Sequence, residues 1–390
     1  MALLPLYIPK NRRLKIVIAG GGYAGIAAMT TLRRYSPDAE ITLIDPGVNH
    51  LKITHLHETF RYPLSDFLIP YMVLEQRLGC HHVRRALPLD ESLLYQWQQD
   101  RCLQMDDLQI PFDYLLVASG ARPAWQNDME GYATKNVFGL EDFFSVSAAD
   151  LLDTFLKTNS KEKSSLSVVG GGATGIQFLF ELAGYLYRRG INHGLQLIDD
   201  EKRVLRQFPK GFSRYVEKRM LELDIEFYPE VHFLEQRTDT LLLKDKANGQ
   251  HFELPSLLAL KFTGNRQGDL LKTNSFGQVM VDGKPLEHIF AAGDCSLYQS
   301  SGSNTMTAQS AVRKGKLAAR NLLRHSGLLK LLEPYLHRDL GYVVSLGPED
   351  AVGWLAVENN VVTGIPAQII KEVVEAQYDL LLSGVDTYLV

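Results

Sequence analysis

The stretch KIVIAGGGYAGIAAM at residues 15–29 decides the fold. An apolar run from Leu14 to Ala19 reads as a short strand, glycines follow at once, and a helical pattern then continues through Arg34. A second apolar run, ITLID, ends at Asp45, twenty residues beyond Gly25. Strand, glycine turn, helix and strand supply the βαβ context that lifts a GxGxxG match from weak to strong. Each glycine has its own mechanical role, Gly20 making the tight turn, Gly22 allowing close backbone approach to a pyrophosphate, and Gly25 seating the helix on the sheet. Phosphates then meet unpaired N–H groups and the positive end of the helix dipole, and Asp45 stands where a ribose hydroxyl is bound.

The chain repeats the unit at 166–199. A strand LSVVG leads into Gly170, Gly172 and Gly175, a helix is expected from Ile176 to about Arg189, and LQLID ends at Asp199. Two dinucleotide sites are therefore expected. The second helix opens IQFLFEL, which puts Gln177 and Glu181 one turn apart on the same face.

Length and composition agree. With 390 residues, 45% hydrophobic and 22% charged, the chain has the make-up of a soluble protein of two or three domains. A net charge of -4 gives no reason to expect a nucleic-acid partner. No stretch approaches the roughly 18 apolar residues of a membrane span, and MALLPLYIPKNRR lacks the features of a signal peptide, so a cytoplasmic location is expected. The three cysteines, Cys80, Cys102 and Cys295, form no CxxC or CxxxxC pair. His50, His55, His57, His81 and His82 cluster loosely without ligand-like helical spacing, so no metal site is expected.

Between the glycine units, LLYQW and QIPFDYLLVASG read as β-like. After the second unit, TDTLLLKDKANGQHFEL reads as a hairpin turning at Asn248 and Gly249. HIFAAGDCSLY is an apolar strand delivering Gly293 and Asp294 at its end, and a long helical pattern runs through TAQSAVRKGKLAARNLLR. Past Glu333, LGYVVSL and AVGWLAV are strand-like, and an amphipathic helix begins at about Ile365. There Pro366, Ile369, Ile370, Val373, Val374 and Leu381 fall on one face, with Lys371, Glu372, Glu375 and Asp379 opposite. The expectation is that the apolar face packs on the protein or on a dimer partner; the acidic polar face disfavours the alternative, docking on anionic lipid.

Four motifs in order, GGGYAG, LLVASGARP at 115–123, GGGATG and FAAGDC at 290–295, resemble the pyridine nucleotide oxidoreductases, flavoproteins with two dinucleotide-binding domains. The likeness spans about residues 14–325. It implies an α/β fold with two Rossmann-like domains: a discontinuous FAD domain, 1–121 and 263–332, with an NAD(P)H domain inserted at 122–262, and a small C-terminal α+β domain at 333–390. It implies FAD on Gly20, Gly22, Gly25 and Asp45, with Gly120, Gly293 and Asp294 closing that site. NADH is implied on Gly170, Gly172, Gly175 and Asp199. The acid at 199 favours NADH over NADPH, although Lys202 and Arg203 are near.

RRYSPDAEITLIDPGVNH carries no cysteine, which excludes the disulfide reductases of that superfamily. TMTAQSAVRKGKLAARN at 305–321 and LGYVVSLGPEDAVG at 340–353 resemble the type II NADH dehydrogenases and the ferroptosis-suppressor-like quinone reductases. That likeness implies hydride transfer from NADH to FAD, then two electrons to a quinone or other small acceptor, with peripheral contact at the inner face of a membrane. Ala308 and Gln309 fit its AQxAxQ segment, but Arg313 stands in place of the second Gln and Gln177 in place of a Glu. A guanidinium cannot accept a hydrogen bond, and an amide can orient a carboxamide but not pass a proton. Other classes consistent with the sequence are a reductase of a protein carrier such as ferredoxin and a redox-dependent FAD/NADH-binding module.

Overall fold

A computed structural model describes residues 3–11, 13–105, 108–121, 136–159, 164–264, 270–339, 341–357 and 360–388. The fold is α/β, built on two sheets. The larger has eight strands in the order Ser296–Tyr298, Leu271–Thr273, Gln278–Val281, Lys284–Ala291, Tyr114–Val117, Lys15–Ala19, Glu40–Ile44, Cys80–Val83. From Lys284–Ala291 across to Cys80–Val83 neighbouring strands are parallel. Such strands are covered on both faces, which is why KIVIA and YLLV are continuously apolar rather than alternating.

The smaller sheet has five parallel strands in the order Ile225–Tyr228, Gly194–Ile198, Ser165–Val169, Ala259–Lys261, Val137–Gly139. Its strands come from 137–261, between the two stretches of chain, 15–117 and 271–298, that make the larger sheet. The expected division at 121/122 opens onto 122–135, which lies outside the described residues.

The α-helices are α1 (Tyr23–Tyr35), α2 (Tyr71–Leu78), α3 (Glu91–Asp100), α4 (Ala148–Thr158), α5 (Ala173–Arg189), α6 (Lys210–Glu222), α7 (Ala308–Ser326) and α8 (Ile365–Leu382). Helices α1 and α5 follow the two glycine turns. Helix α7 lies across α1 so closely that a Cβ on Gly315 would stand 2.2 Å from the Ala24 carbonyl oxygen. Gly341–Ser345, Ala351–Leu355 and Val361–Thr363 form a three-stranded antiparallel sheet against which α8 packs.

The hairpin at Asn248 and Gly249 is present, with Thr240–Asp245 antiparallel to His251–Pro255. Two expectations need correction. LLYQW is helical, not β-like: Asp90 caps α3 by accepting from the Ser92 and Leu93 amides, and Leu94 and Trp97 are its buried face. Helix α8 is also rotated from the expected orientation. Pro366, Ile369, Val373 and Val374 are exposed and Ile370 is half-buried, so of that row only Leu381 is buried. The inward face is Ala367, Lys371, Tyr378, Leu381 and Leu382.

Candidate functional site: two glycine loops and the turn between them

The first loop is built as its spacing requires. Gly20 has φ +112°, and a Cβ there would lie 2.2 Å from the Ala118 carbonyl oxygen; a Cβ on Gly25 would lie 2.0 Å from that of Gly20. A Cβ on Gly22 would meet nothing within 4 Å, so the backbone here borders open space at the N-terminus of α1. Asp45 closes the loop: its carboxylate accepts the Gly21 amide at 2.8 Å and the Gly47 amide at 2.8 Å. Gly21 was not singled out by the motif, yet a Cβ there would stand 2.3 Å from the Tyr71 hydroxyl.

The second loop repeats this arrangement. Gly170 has φ +109°, with its absent Cβ aimed 2.3 Å from the Phe262 carbonyl oxygen; a Cβ on Gly175 would reach within 1.9 Å of that of Gly170, and Gly172 is open. Asp199 accepts the Gly171 amide and, at 2.7 Å, the Glu201 amide. Burial pushes its carboxyl upward, against those two bonds. Both loops thus have the features a pyrophosphate cradle needs: an open second glycine, a helix N-terminus and a half-buried aspartate that accepts the loop's own amide. Arg203, a candidate for a 2'-phosphate, is engaged by the Ser213 hydroxyl at 2.6 Å and the carbonyls of Arg206 at 2.6 Å and Phe208 at 3.0 Å.

Gly293, with φ +80°, brings its turn against Ala24 of α1, where a Cβ would stand 2.9 Å from the Ala24 Cβ. Asp294 follows, and burial pushes its carboxyl up to about 6, opposed by the charge of Lys314. Gly120, φ +73°, opens into free space just past the strand Tyr114–Val117. Ala308 and Gln309, both half-buried, begin α7 behind the Thr307 cap.

Lys314 escaped the sequence reading. It is 2% exposed, its ammonium donates to the Ser296 carbonyl at 2.9 Å, and burial pulls it down to about 8. Its signal was periodicity: Ser310, Ala311, Lys314, Gly315 and Ala318 share the buried face of α7. Arg313, one residue earlier, turns instead toward the C-terminal tail, its guanidinium 5.6 Å from the Tyr388 ring centroid. It is half-buried, one turn beyond Gln309 on the same helix.

Gln177 is half-buried at the start of the second turn of α5. Glu181 is not its open companion. Its carboxylate is buried and paired with Arg61, whose Nε lies 3.0 and 2.9 Å from its two oxygens and whose Nη2 lies 2.9 Å from one. Burial works against the Arg61 charge, but Glu181 carries it above its ordinary value. The pair ties α5 to the segment Ile53–Phe60.

Beside it, His55, Glu58 and Glu375 offer ligand atoms within 4.8 Å of one another. The Lys371 ammonium already lies 2.7 Å from oxygens of both Glu58 and Glu375, so this cluster carries its own cation. Cys80, Cys102 and Cys295 are free thiols. Burial pushes the Cys80 thiol up to about 11 and raises that of Cys295, so neither is a ready nucleophile.

Residues 14–315 match the family described as pyridine nucleotide-disulphide oxidoreductase. The type II NADH:quinone oxidoreductase of Staphylococcus aureus is 23% identical to the chain, covering 96% of it and 97% of its own length. The sulfide:quinone oxidoreductase of the hyperthermophilic bacterium Aquifex aeolicus superposes with a TM-score of 0.76 at 18% identity, over 95% of this chain and 92% of that one. NDH2 from Plasmodium falciparum, solved in complex with NADH, gives 0.75 at 15% identity, over 95% and 96%. At such identities the structural likeness speaks for the fold. Together with two complete glycine loops, these matches lead to one conclusion: the chain belongs to the pyridine nucleotide-disulphide oxidoreductase family, as an FAD-dependent oxidoreductase served by a pyridine nucleotide.

Proposed function

We propose that the enzyme takes its electrons from NADH and delivers them in pairs to a quinone-like acceptor. The observation that carries this reading is the doubled loop: two cradles of one geometry, each locked to its own aspartate. In this reading Gly20, Gly22, Gly25 and Asp45 hold FAD, closed by Gly120, Gly293, Asp294 and Ala308. Gly170, Gly172, Gly175 and Asp199 hold NADH. The matching division of the chain is 1–121 with 263–332 for FAD, 122–262 for NADH, and 333–390 as a C-terminal part.

Bound FAD would supply the chemistry, accepting a hydride from NADH and yielding two electrons to the acceptor. The chain's own work is binding and orientation. Asp199 accepts ribose hydroxyls and repels a 2'-phosphate, and with Arg203 engaged elsewhere this favours NADH over NADPH. Gln177 orients the nicotinamide carboxamide but cannot pass a proton. Gln309 serves the acceptor side, and Lys314 sets a positive charge beside Asp294. A lipid-soluble acceptor calls for contact with a membrane, and the exposed apolar row of α8 is the surface we assign to it. No described helix is long and apolar enough to cross one.

Anaerobic mixing with NADH tests the first step: the yellow flavin should bleach within seconds, and a flavin that stays yellow would turn the reading toward a binding module. Adding ubiquinone or menaquinone analogues to the bleached protein should restore the colour. Restoration by ferredoxin and not by quinones would replace the acceptor assignment with a protein carrier.

A further inference from the structure

The two loops differ in what holds their middle carbonyl. In the second, the Gly171 carbonyl accepts from the Leu205 backbone amide at 2.8 Å, a partner from the same sheet unit. In the first, the Gly21 carbonyl lies 3.0 Å from His50 Nδ1, and His50 Nε2 lies 3.0 Å from the hydroxyl of Tyr378 on α8. Both side chains are interior, His50 at 1% and Tyr378 at 6% exposure. The Tyr378 ring also stacks on Tyr23, the first residue of α1, with centroids 4.4 Å apart.

Elementary chemistry assigns the protons. A carbonyl only accepts, so Nδ1 carries hydrogen. Burial pulls the imidazolium down to about 4, so the ring is neutral and Nε2 accepts from the tyrosine. The Gly21–Gly22 peptide is trans, so fixing the carbonyl toward His50 turns the Gly22 amide to the opposite side. Asp45 pins the preceding peptide through the Gly21 amide at 2.8 Å. Both peptides around Gly21 are thereby fixed.

We propose that Tyr378 and His50 are positioning residues through which the C-terminal helix α8 sets the Gly21–Gly22 peptide for the pyrophosphate of FAD. This rests on the assignment of FAD to the first loop. The NADH loop, held by Leu205, has no such dependence on α8.

The test is the rate at which purified holoenzyme releases FAD on dilution, followed by the rise of free-flavin fluorescence. Losing the donor to a buried carbonyl in His50→Leu should speed release about tenfold, and losing only the relay in Tyr378→Phe about threefold. The double variant should release no faster than His50→Leu, because one relay breaks once. Affinity for NAD+ should stay within about twofold of wild type in every variant. Release from Tyr378→Phe at the wild-type rate overturns the proposal, as does NAD+ affinity falling in step with FAD. Tyr378→Phe, which removes a single oxygen, carries the test if His50→Leu does not fold. A wild-type protein that neither retains nor rebinds FAD would instead overturn the functional reading beneath it.

Discussion

Gln177 occupies a position where resemblance leads one to expect a carboxylate, and its helical neighbour cannot substitute for it. Glu181 is held by three contacts of 2.9 to 3.0 Å to Arg61 and is turned away from solvent. An amide at 177 can orient a carboxamide, but the proton needed after electron transfer must come from another group or from water. The Gln177→Glu variant should therefore leave NADH-dependent bleaching within about twofold of wild type while the oxidative half-reaction speeds about a hundredfold and acquires a new ionisation in its pH profile, at the low end of general acid–base contributions. Stopped-flow measurement of the two half-reactions separates them. Turnover and pH profile identical to wild type would remove position 177 from proton transfer. The glycines and both aspartates were legible from sequence because the motif and the acid at the end of the next strand fall within one βαβ unit, although the atoms that require Gly20 and Gly170, the carbonyls of Ala118 and Phe262, lie far along the chain. Lys314 was not, because its meaning depends on which face of α7 meets the turn at Asp294.

Helices show where local reading stops. Both glycine helices begin within a few residues of where GxGxxG puts them, since the turn fixes the start. Helix α8 was legible as a helix but not in orientation. Its inward Lys371 meets Glu58, 313 positions earlier in the chain, and no pattern within the helix announces that partner. The buried ion pair turned Lys371 inward together with Ala367, Tyr378, Leu381 and Leu382, and left an apolar row outside. LLYQW misleads for a different reason: Asp90 was a readable cap, but five residues of mixed polarity fit either period. The Arg61–Glu181 pair links α5 to the Ile53–Phe60 segment and gives a prediction at this scale. Arg61→Met strands a buried carboxylate and should cost about 3–5 kcal/mol, while Arg61→Met with Glu181→Leu should recover most of that loss. Urea denaturation of the apoprotein measures both. A double variant as unstable as the single one would show that packing of the Arg61 stem, and not the charge pair, is what matters.

At the scale of the whole molecule, the larger sheet is interrupted by the chain that forms the smaller one, and the C-terminal part returns to touch both. Through Asp350 it reaches Tyr215 and Arg219 of α6; through Lys371 it reaches Glu58, and through Tyr378 it reaches His50 at the first loop. A helix fixed so firmly on its inner face presents Ile365 at 66%, Ile369 at 59% and Val373 at 57% exposure on the other. Glu372 and Asp379 are exposed beside them, so attraction to anionic lipid is not the driving term. Burial of apolar area is, and that contribution is not screened by salt. The protein should accordingly sediment with phosphatidylcholine vesicles, at least as well as with anionic ones, and high salt should not release it. Placing charge in the row, with Ile369→Glu and Val373→Glu together, should abolish sedimentation while NADH still bleaches the flavin, because both side chains are exposed and neither belongs to the buried face that carries Tyr378. Wild-type protein that stays wholly in the supernatant would remove the membrane assignment, and a double variant that still sediments would move it to another surface.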